Sequence, residues 1–358
     1  MLNVAGQHTA AVLTAVRTIE ERAVSVPSPG PHEILVRVAA SGVCGSDLST
    51  YRGTHPYKRA PVVLGHELCG TVVELGEQVT HVRPGDLVCS AAYSPCEVCD
   101  ACLRGDPHLC SDRRNLSHLD WDGSFAQHVL LHANMTFRLA GHVHPEAGAM
   151  AEPLSIALHA VRLGLAARGE RGEPGLGDVA ILGAGGIGLC CALAARRLGA
   201  RTIACVDLGP AKARLAEAAG ADRYLDAADG GAAKALRSAW PDGADVTVVA
   251  SGHPGALDDA CAMTRKGGRV VVVSYFDRPQ SVSVNPFVAG ELTVRFSHLS
   301  TPRDFAEVTG WLADGSLDPR PLITHRFPLS RTDEALRLID SPQGTVGKIM
   351  IHAQEGLS

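Results

Sequence analysis

The sequence has few aromatic residues, no long apolar run and no excess of positive charge. Aromatic residues make up 4% of the 358 positions, so the core must be built mainly from valine, leucine, isoleucine and alanine. Lysine and arginine number 33 against 38 aspartates and glutamates, which gives a formal net charge of −5. That balance excludes a protein that binds nucleic acid through bulk phosphate neutralisation. No apolar run approaches the roughly 18 residues of a membrane span, so no segment is predicted to cross a bilayer.

The N-terminus also lacks the order of a secretory signal, in which a cationic segment precedes an apolar one. We therefore expect a cytoplasmic protein. Cysteine is abundant, however, with 11 residues beside 16 histidines. Disulfides are rare in a reducing compartment, so these thiols need another explanation.

The first part of the chain, to about residue 150, has the short β-branched segments and the Gly- and Pro-containing turns of a β-rich module. Such segments lie at 33–39, 70–75 and 86–89. The pattern then changes, and apolar residues over 151–165 predict a buried helix. A stretch rich in glycine, glutamate and arginine, 168–178, predicts a loop.

The second part of the chain alternates continuous apolar strands with alanine-rich helices, which is typical of a parallel sheet covered on both faces. The strands are predicted at 179–182, 202–206, 245–250, 269–274 and 292–296, and the helices at 188–198, 211–219, 232–239 and 256–264. A helix over 302–313 and a strand over 345–351 have no place in that alternation, so we expect them to return to the first module. The predicted fold class is α/β.

A glycine-rich turn follows the first of these strands. Gly183, Gly185 and Gly188 form a G-x-G-x-x-G motif, which allows a tight turn, close approach of a pyrophosphate and close packing of helix on strand. Asp207 ends the next strand, 19 residues beyond Gly188, where a carboxylate binds an adenosine ribose and repels a 2′-phosphate. The turn therefore predicts a dinucleotide site that prefers NAD to NADP. Lys212 either lies near that ribose or is an ordinary surface residue.

Four cysteines lie within 15 residues of one polar loop. Their spacing is C-x2-C-x2-C-x7-C, formed by Cys96, Cys99, Cys102 and Cys110. Four thiolates close a tetrahedral zinc site that has no open position and is therefore structural. An iron–sulfur cluster is the alternative, because Cys-x2-Cys-x2-Cys also occurs in such proteins.

A second set of metal-ligating residue types is spread over the chain. Cys44 and His66, with Glu67 and Glu152, offer one thiolate, one imidazole and two carboxylates. Three protein ligands and a vacancy would hold zinc as a Lewis acid for a hydroxyl or carbonyl. Each residue taken singly is more often a packing residue, so the spacing alone is moderate evidence.

These motifs together resemble those of the zinc-dependent medium-chain alcohol dehydrogenases, over nearly the whole chain. Cys44-Gly-Ser-Asp, Gly65-His-Glu, the cysteine loop, Glu152-Pro-Leu-Ser and the glycine turn follow one another in the order found in that family. Glu152 stands where the alcohol dehydrogenases proper have a cysteine. The sequence is in this respect most similar to the polyol branch, which includes the sorbitol (L-iditol), threonine and butanediol dehydrogenases.

The resemblance implies a GroES-like catalytic domain over 1–154, a Rossmann domain over 155–294 and a return to the catalytic domain over 295–358. It implies that Cys44 and His66 ligate the catalytic zinc directly. Glu67 and Glu152 match acids that ligate it directly, through water or alternately. The remaining matches at the catalytic site are Asp47, which orients the ligand histidine, Ser46, which takes the substrate proton, and Tyr51, which lines the polyol pocket.

The cofactor contacts are implied in the same way. Besides the three motif glycines and Asp207, the matching positions are Gly186, Ile187, Lys212, Val273, Ser274, Tyr275, Ser297 and His298. The family also implies zinc at two sites in each subunit, NAD as cofactor and a homodimer or homotetramer.

Two positions depart from the family pattern. The proton relay of alcohol dehydrogenases continues to a histidine, but Ser49 stands in that stretch. His55 is a candidate substitute, and a surface-loop residue is the alternative interpretation. Sorbitol dehydrogenases have an arginine where this chain has Leu299, which puts sorbitol itself in doubt.

The predicted activity is hydride transfer between a secondary alcohol, in a polyol, sugar or cyclitol, and NAD, giving the ketone. An amino alcohol, as for threonine or aminocyclitol dehydrogenases, is the alternative substrate class. A non-catalytic nucleotide-binding relative would have lost the zinc ligands, which are present here. The predicted partners are a small molecule and further copies of the chain, without nucleic acid or membrane. The other six cysteines are predicted to be buried apolar residues: Cys69, Cys89, Cys190, Cys191, Cys205 and Cys261.

Overall fold

The computed structural model describes residues 6–118, 121–165, 175–228, 231–341 and 345–354. These residues divide between two units. The β-rich unit lies within Met1–Glu152, Ser300–Gly344 and Lys348–Ser358, and the parallel-sheet unit within Pro153–Leu299 and Thr345–Gly347. Among the described residues, no helix is both long and apolar enough to cross a membrane.

The strands of the described residues are numbered here in chain order. They are β1 (Gln7–Ala15), β2 (Thr18–Ser25), β3 (Glu33–Gly42), β4 (Val62–Val63), β5 (Glu67–Leu75), β6 (Leu87–Ser90), β7 (Tyr93–Ser94), β8 (Arg114–Asn115), β9 (His128–His132), β10 (Thr136–Arg138), β11 (Asp178–Leu182), β12 (Thr202–Asp207), β13 (Arg223–Asp226), β14 (Ala244–Val249), β15 (Thr264–Val272), β16 (Thr293–Phe296), β17 (Ile323–Pro328) and β18 (Lys348–His352).

The α-helices of the same residues are numbered likewise. They are α1 (Gly45–Tyr51), α2 (Asp100–Leu103), α3 (Pro145–Ala149), α4 (Ala151–Leu163), α5 (Gly186–Arg197), α6 (Ala213–Ala218), α7 (Ala232–Ala239), α8 (Ala256–Met263), α9 (Val284–Gly290), α10 (Pro302–Ala313) and α11 (Thr332–Asp340). Helix α10 begins where the sequence predicts it, because Pro302 occupies its first turn and the Thr301 side chain accepts a hydrogen bond from Asp304 N.

The β-rich unit is built around strand β3. The sheet order is β10-β6-β5-β3-β18-β17, with β9 also paired to β3, and β2-β1-β4 forms a second sheet. Ile34, Val36 and Val38 alternate along β3 and are fully buried in the core. Gly42 at the end of β3 pairs with Glu67 at the start of β5, so the end of β3 and the start of β5 lie side by side.

The parallel-sheet unit has six strands in the order β13-β12-β11-β14-β15-β16, and all its pairs are parallel. Strands β11, β12 and β14 are buried almost throughout, as their continuous apolar sequences predict. The strand order reverses between β11 and β14. Ligands of such doubly wound sheets bind at the carboxyl ends of the strands on either side of that reversal. The predicted α/β fold class is confirmed.

Several elements differ from the sequence prediction. Strand β13 was not predicted, because Arg223-Tyr-Leu-Asp226 at the sheet edge is only half-buried and has no apolar run. Strand β15 begins earlier than predicted, at Thr264. Of the predicted loop 168–178, residues 168–174 lie outside the described residues, and β11 begins at Asp178.

Most of the described tail lies in the β-rich unit, while Thr345–Gly347 belong to the parallel-sheet unit. Strand β18 pairs antiparallel with β3, placing Met350 opposite Gly42, and runs parallel to β17. The domain boundaries predicted after residues 154 and 294 remain predictions.

Candidate metal centre and cofactor turn

Cys44, His66 and Glu67 come together in the β-rich unit. Cys44 is the residue that precedes α1, His66 lies between β4 and β5, and Glu67 begins β5. One ligand atom from each lies within 4.8 Å of the others, and His66 and Glu67 are buried. A thiolate, an imidazole and a carboxylate at this spacing are the donor types and the number of protein ligands of a catalytic zinc site.

Asp47 supports two members of this trio. One of its carboxylate oxygens accepts a hydrogen bond from Cys44 N at 3.0 Å, and the other accepts one from Gly65 N at 3.2 Å. The second oxygen also lies 3.4 Å from His66 Nδ1, which leaves Nε2 as the ring nitrogen available to a metal. Complete burial raises the pKa of Asp47, but the charge and hydrogen bond of His66 outweigh it and lower the pKa to about 2.

Lys348 forms a buried ion pair with Glu67. Its ammonium group donates to Glu67 Oε2 and also, at 3.2 Å, to the carbonyl oxygen of Val43. A Cβ atom at Gly42 would collide with the Glu67 carboxylate, so this glycine leaves room for it. Lys348 was not predicted as a site residue. A lysine at the head of the apolar run Lys348-Ile-Met-Ile351 was the available signal.

Glu152 and Lys58 are further buried ionisable groups near the trio. Glu152 lies in the first turn of α4, and among the described residues it is not part of the compact trio. Burial raises its pKa to about 7, and the negative charges of Glu67 and Asp47 act in the same direction. Lys58 donates to Leu116 O at 3.1 Å. Burial lowers its pKa, while Asp47, Cys44 and Glu152 act to raise it, so its ammonium lies in their field.

Three other predicted catalytic residues lie on or after α1. Ser46 is half-buried in the first turn of the helix. Tyr51 is buried, and its hydroxyl donates to Asp333 of α11 at 3.1 Å. His55 is buried, so its interpretation as an exposed loop residue is wrong. Its Nδ1 accepts a hydrogen bond from Lys58 N at 3.1 Å, and burial lowers its pKa to about 4.

The four loop cysteines also come together. Their sulfur atoms lie within 4.8 Å of one another, around the short helix α2. Two sulfurs accept backbone hydrogen bonds within the loop, Cys96 from Cys99 N and Cys110 from Cys96 N. Such bonds stabilise thiolates, and four convergent thiolates fit a closed tetrahedral zinc site. The six remaining cysteines are buried free thiols, as predicted.

The glycine turn has the geometry of a pyrophosphate cradle. Gly183 has a φ of +106°, and a Cβ on Gly188 would collide with the Gly183 carbonyl oxygen. Gly185 caps α5, and a Cβ there would meet nothing within 4 Å. The first turn of α5, with Gly186 and Ile187, is half-exposed. Its unpaired N–H groups and positive dipole end therefore suit an anion.

Asp207 is tied to this turn. Its Oδ2 accepts hydrogen bonds from Ala184 N at 2.7 Å and from Lys212 Nζ at 3.1 Å, and its Oδ1 accepts one from Leu208 N. Lys212 therefore lies beside Asp207, and its predicted position near a ribose stays a prediction.

The other predicted cofactor contacts follow β15 and β16 at their carboxyl ends. Ser297 N donates to Val272 O at 2.8 Å, and the Tyr275 hydroxyl lies 2.7 Å from His298 Nδ1. Val273 and Ser274 lie between β15 and Tyr275. Leu299 has a positive φ of 52°, which is uncommon for a branched residue.

The fold and the two clusters of ligands define a class, the zinc-dependent dehydrogenases that use a nicotinamide dinucleotide. Two family models match the chain. Residues 30–141 match the alcohol dehydrogenase GroES-like domain, and residues 186–314 match the zinc-binding dehydrogenase domain.

Relatives with curated names match over most of their length. A sorbitol dehydrogenase of Arabidopsis thaliana is 33% identical over 91% of this chain and 90% of its own. An L-idonate 5-dehydrogenase of Vitis vinifera is 32% identical over 91% and 89%. An L-threonine 3-dehydrogenase of Bacillus licheniformis is 30% identical over 92% and 93%.

Solved structures give the same result. A zinc-binding dehydrogenase from Sinorhizobium meliloti, solved bound to NADP, has a TM-score of 0.86 and 29% identity over 97% of this chain and 99% of its own. This chain therefore belongs to the zinc-dependent medium-chain dehydrogenases, in the branch that resembles the polyol dehydrogenases. It is an alcohol dehydrogenase in the broad sense, and its GroES-like and Rossmann domains are confirmed.

Proposed function

We propose that this enzyme oxidises a secondary alcohol of a polyol, sugar or cyclitol to the ketone, with NAD⁺ as hydride acceptor. The observation that carries the proposal is the trio of Cys44, His66 and Glu67 in a chain that also holds the glycine turn and Asp207. Relatives named for sorbitol and L-idonate support the polyol class.

The site residues of the β-rich unit each have a defined role in the proposed reaction. Zinc, when bound by the trio, supplies a Lewis acid that lowers the pKa of the substrate hydroxyl. Asp47 holds His66 in the orientation that presents Nε2. Ser46, in the first turn of α1, relays the proton outward: its oxygen accepts the substrate hydroxyl proton as its own hydroxyl proton passes on to solvent. Glu67 is the proposed third protein ligand, because it lies in the compact trio. Glu152 is the alternative carboxylate ligand.

NAD is the proposed cofactor, because the Asp207 carboxylate repels a 2′-phosphate. Lys212 partly offsets that repulsion through its ion pair with Asp207. Because the Sinorhizobium meliloti relative was solved with NADP bound, the preference for NAD over NADP has to be measured for this enzyme. We also propose zinc in both clusters, with the cysteine quartet as the structural site.

An amino alcohol is the second candidate substrate, supported by the threonine dehydrogenase relative. Leu299, which replaces the arginine of sorbitol dehydrogenases, argues against sorbitol itself within the first candidate class. A panel of polyols, cyclitols, sugars, L-threonine and aminocyclitols, assayed by NADH formation, separates the two classes. Turnover confined to amino alcohols would replace the first proposal by the second, and no turnover of any alcohol would refute both.

We further propose that the enzyme is a homo-oligomer, with the edge of the parallel sheet as its contact surface. In the part of the chain that the structure describes, strand β16 is the last strand in the sheet order, so one of its backbone edges has no partner strand there. Phe296 on this strand and Val284 and Val288 on α9 are all more than 60% exposed. Phe296→Asp should therefore yield a smaller species in light scattering coupled to gel filtration. An unchanged mass would refute this choice of surface.

A cytoplasmic location is proposed from the cysteines. All 11 are free thiols, and seven of them are buried. A reducing compartment keeps the metal-ligating thiols available. Cell fractionation with an antibody tests this proposal, and recovery of the protein from an oxidising compartment would refute it.

A further inference from the structure

A second hydrogen-bonded chain of side chains lies beside the glycine turn. Strand β14 ends at Val249, and Ala250 and Ser251 follow it at the point where the strand order reverses. A Cβ placed on Gly183 would lie 2.8 Å from Ala250 O and 3.1 Å from Ser251 Cβ. Ser251 therefore borders the proposed pyrophosphate cradle, although no sequence motif includes it.

Ser251 begins a relay of three polar side chains. Its Oγ lies 3.1 Å from His253 Nδ1, and His253 Nε2 lies 3.0 Å from Asp259 Oδ2, in the first turn of α8. The His253 and Asp259 side chains are 41% and 35% exposed, so the relay is open to a ligand. None of these residues contributes to the metal centre.

With an ionised Asp259 and a neutral His253, the hydrogen bonds of the relay can run in only one direction. An ionised Asp259 carboxylate can only accept, so the hydrogen in the bond to His253 must be on Nε2. In the neutral imidazole Nδ1 is then an acceptor, and the Ser251 hydroxyl must donate to it. The Ser251 oxygen consequently presents only lone pairs to whatever lies in the cradle. It suits a hydroxyl donor and is repelled by a phosphate oxygen.

We propose that Ser251 accepts a hydrogen bond from a ribose hydroxyl of the bound dinucleotide, and that His253 and Asp259 are positioning residues that set this polarity. The inference rests on the proposed use of a nicotinamide dinucleotide. It adds a contact that distinguishes ribose from phosphate next to the turn that binds phosphate.

Direct binding of NADH, followed by cofactor fluorescence in the zinc-loaded enzyme, tests the proposal. Loss of one hydrogen bond of this kind corresponds to a roughly two- to tenfold rise in Kd, which is expected for Ser251→Ala. Ser251→Thr keeps the hydroxyl and should restore most of the affinity. Asp259→Ala should weaken binding by a similar or smaller factor. The double variant should be no weaker than Ser251→Ala alone, because both changes break one relay.

Asp258→Ala is the matched control. Asp258 is the neighbouring carboxylate on α8 and accepts a hydrogen bond from Ser283 N at 2.9 Å, outside the relay. The Asp258→Ala variant should bind NADH with an unchanged Kd. His253→Gln is a second relay variant that leaves Ser251 itself unchanged. It should also weaken NADH binding.

The outcomes separate the inference from the function on which it rests. If the unaltered enzyme fails to bind NADH, the proposed function and the inference both fall. If the unaltered enzyme binds NADH and Ser251→Ala binds it equally well, only the inference falls. If the relay variants and Asp258→Ala lose NADH affinity equally, the role of α8 is merely structural. That result would also overturn the inference.

Discussion

At the scale of single residues, the metal centre depends on charges that are buried together. Asp47, Glu67 and Glu152 are all at most 5% exposed, and His66, Lys58 and Lys348 are the buried cations or potential cations beside them. An unpaired charge at such a depth would cost several kcal/mol. Asp47 is paired with His66 and Glu67 with Lys348, so the loss of a single side chain changes the charge balance of the whole site.

Cys44→Ser should abolish alcohol oxidation while leaving NADH binding measurable. The hydroxyl is a poor zinc ligand compared with a thiolate, whereas the glycine turn and Asp207 lie in the other unit. Steady-state turnover and NADH fluorescence check the two halves of this prediction. Retained turnover would remove Cys44 from the mechanism.

Asp207→Asn should erode the preference for NAD over NADP. The change removes the negative charge that repels a 2′-phosphate and leaves Lys212 without its ion-pair partner. Because an amide keeps an oxygen for Ala184 N, the glycine turn should remain intact. The ratio of kcat/KM for the two cofactors is the measurement. An unchanged ratio would show that the preference is set elsewhere.

At the scale of elements, strand β18 completes the metal centre from the far end of the chain. Lys348 begins this strand, and its ammonium joins the carboxylate at the start of β5 to the carbonyl of Val43, just before Cys44. The pairing of β18 with β3 positions the lysine, and Gly42 at the end of β3 makes room for Glu67.

Lys348→Met should destabilise the metal-free protein by roughly 3–5 kcal/mol, because a buried Glu67 carboxylate loses its partner. Zinc should recover part of this loss, since the cation neutralises the same carboxylate. Urea unfolding with and without zinc measures both effects. Lys348→Arg, which keeps the charge, is the control and should lose less. A methionine variant as stable as the arginine variant would contradict the assigned role of the ion pair.

At the scale of the whole molecule, the chain carries two clusters of metal ligands with different character. The cysteine quartet uses residues from one loop and offers four thiolates, whereas the trio mixes three ligand types from separate segments. The first suits a closed structural site, and the second leaves a position for substrate.

The purified enzyme should therefore contain close to two zinc ions per chain. Cys102→Ser should reduce this to about one and lower the melting temperature, because a structural zinc contributes directly to folding. Plasma emission spectrometry and thermal unfolding provide the measurements. Iron with a visible charge-transfer spectrum would instead favour the iron–sulfur alternative.

The parallel sheet, the glycine turn and the cysteine quartet could be predicted from the sequence, because each depends on residues close together in the chain. Strand β13 could not, since pairing with β12 rather than a hydrophobic pattern makes it a strand. Similarly, nothing local indicated that His55 would be buried.

The sequence by itself determined the ligand types and the family of this protein, through short motifs whose chemistry is contained in their own residues. Only the tertiary structure decided which distant groups share a buried site. Glu67 and Lys348 are 281 positions apart, so no local pattern could pair them. The same is true of Ser251, which lies next to Gly183 only because β14 packs beside β11. Charge neutralisation and strand pairing depend on three-dimensional proximity, which the fold alone supplies.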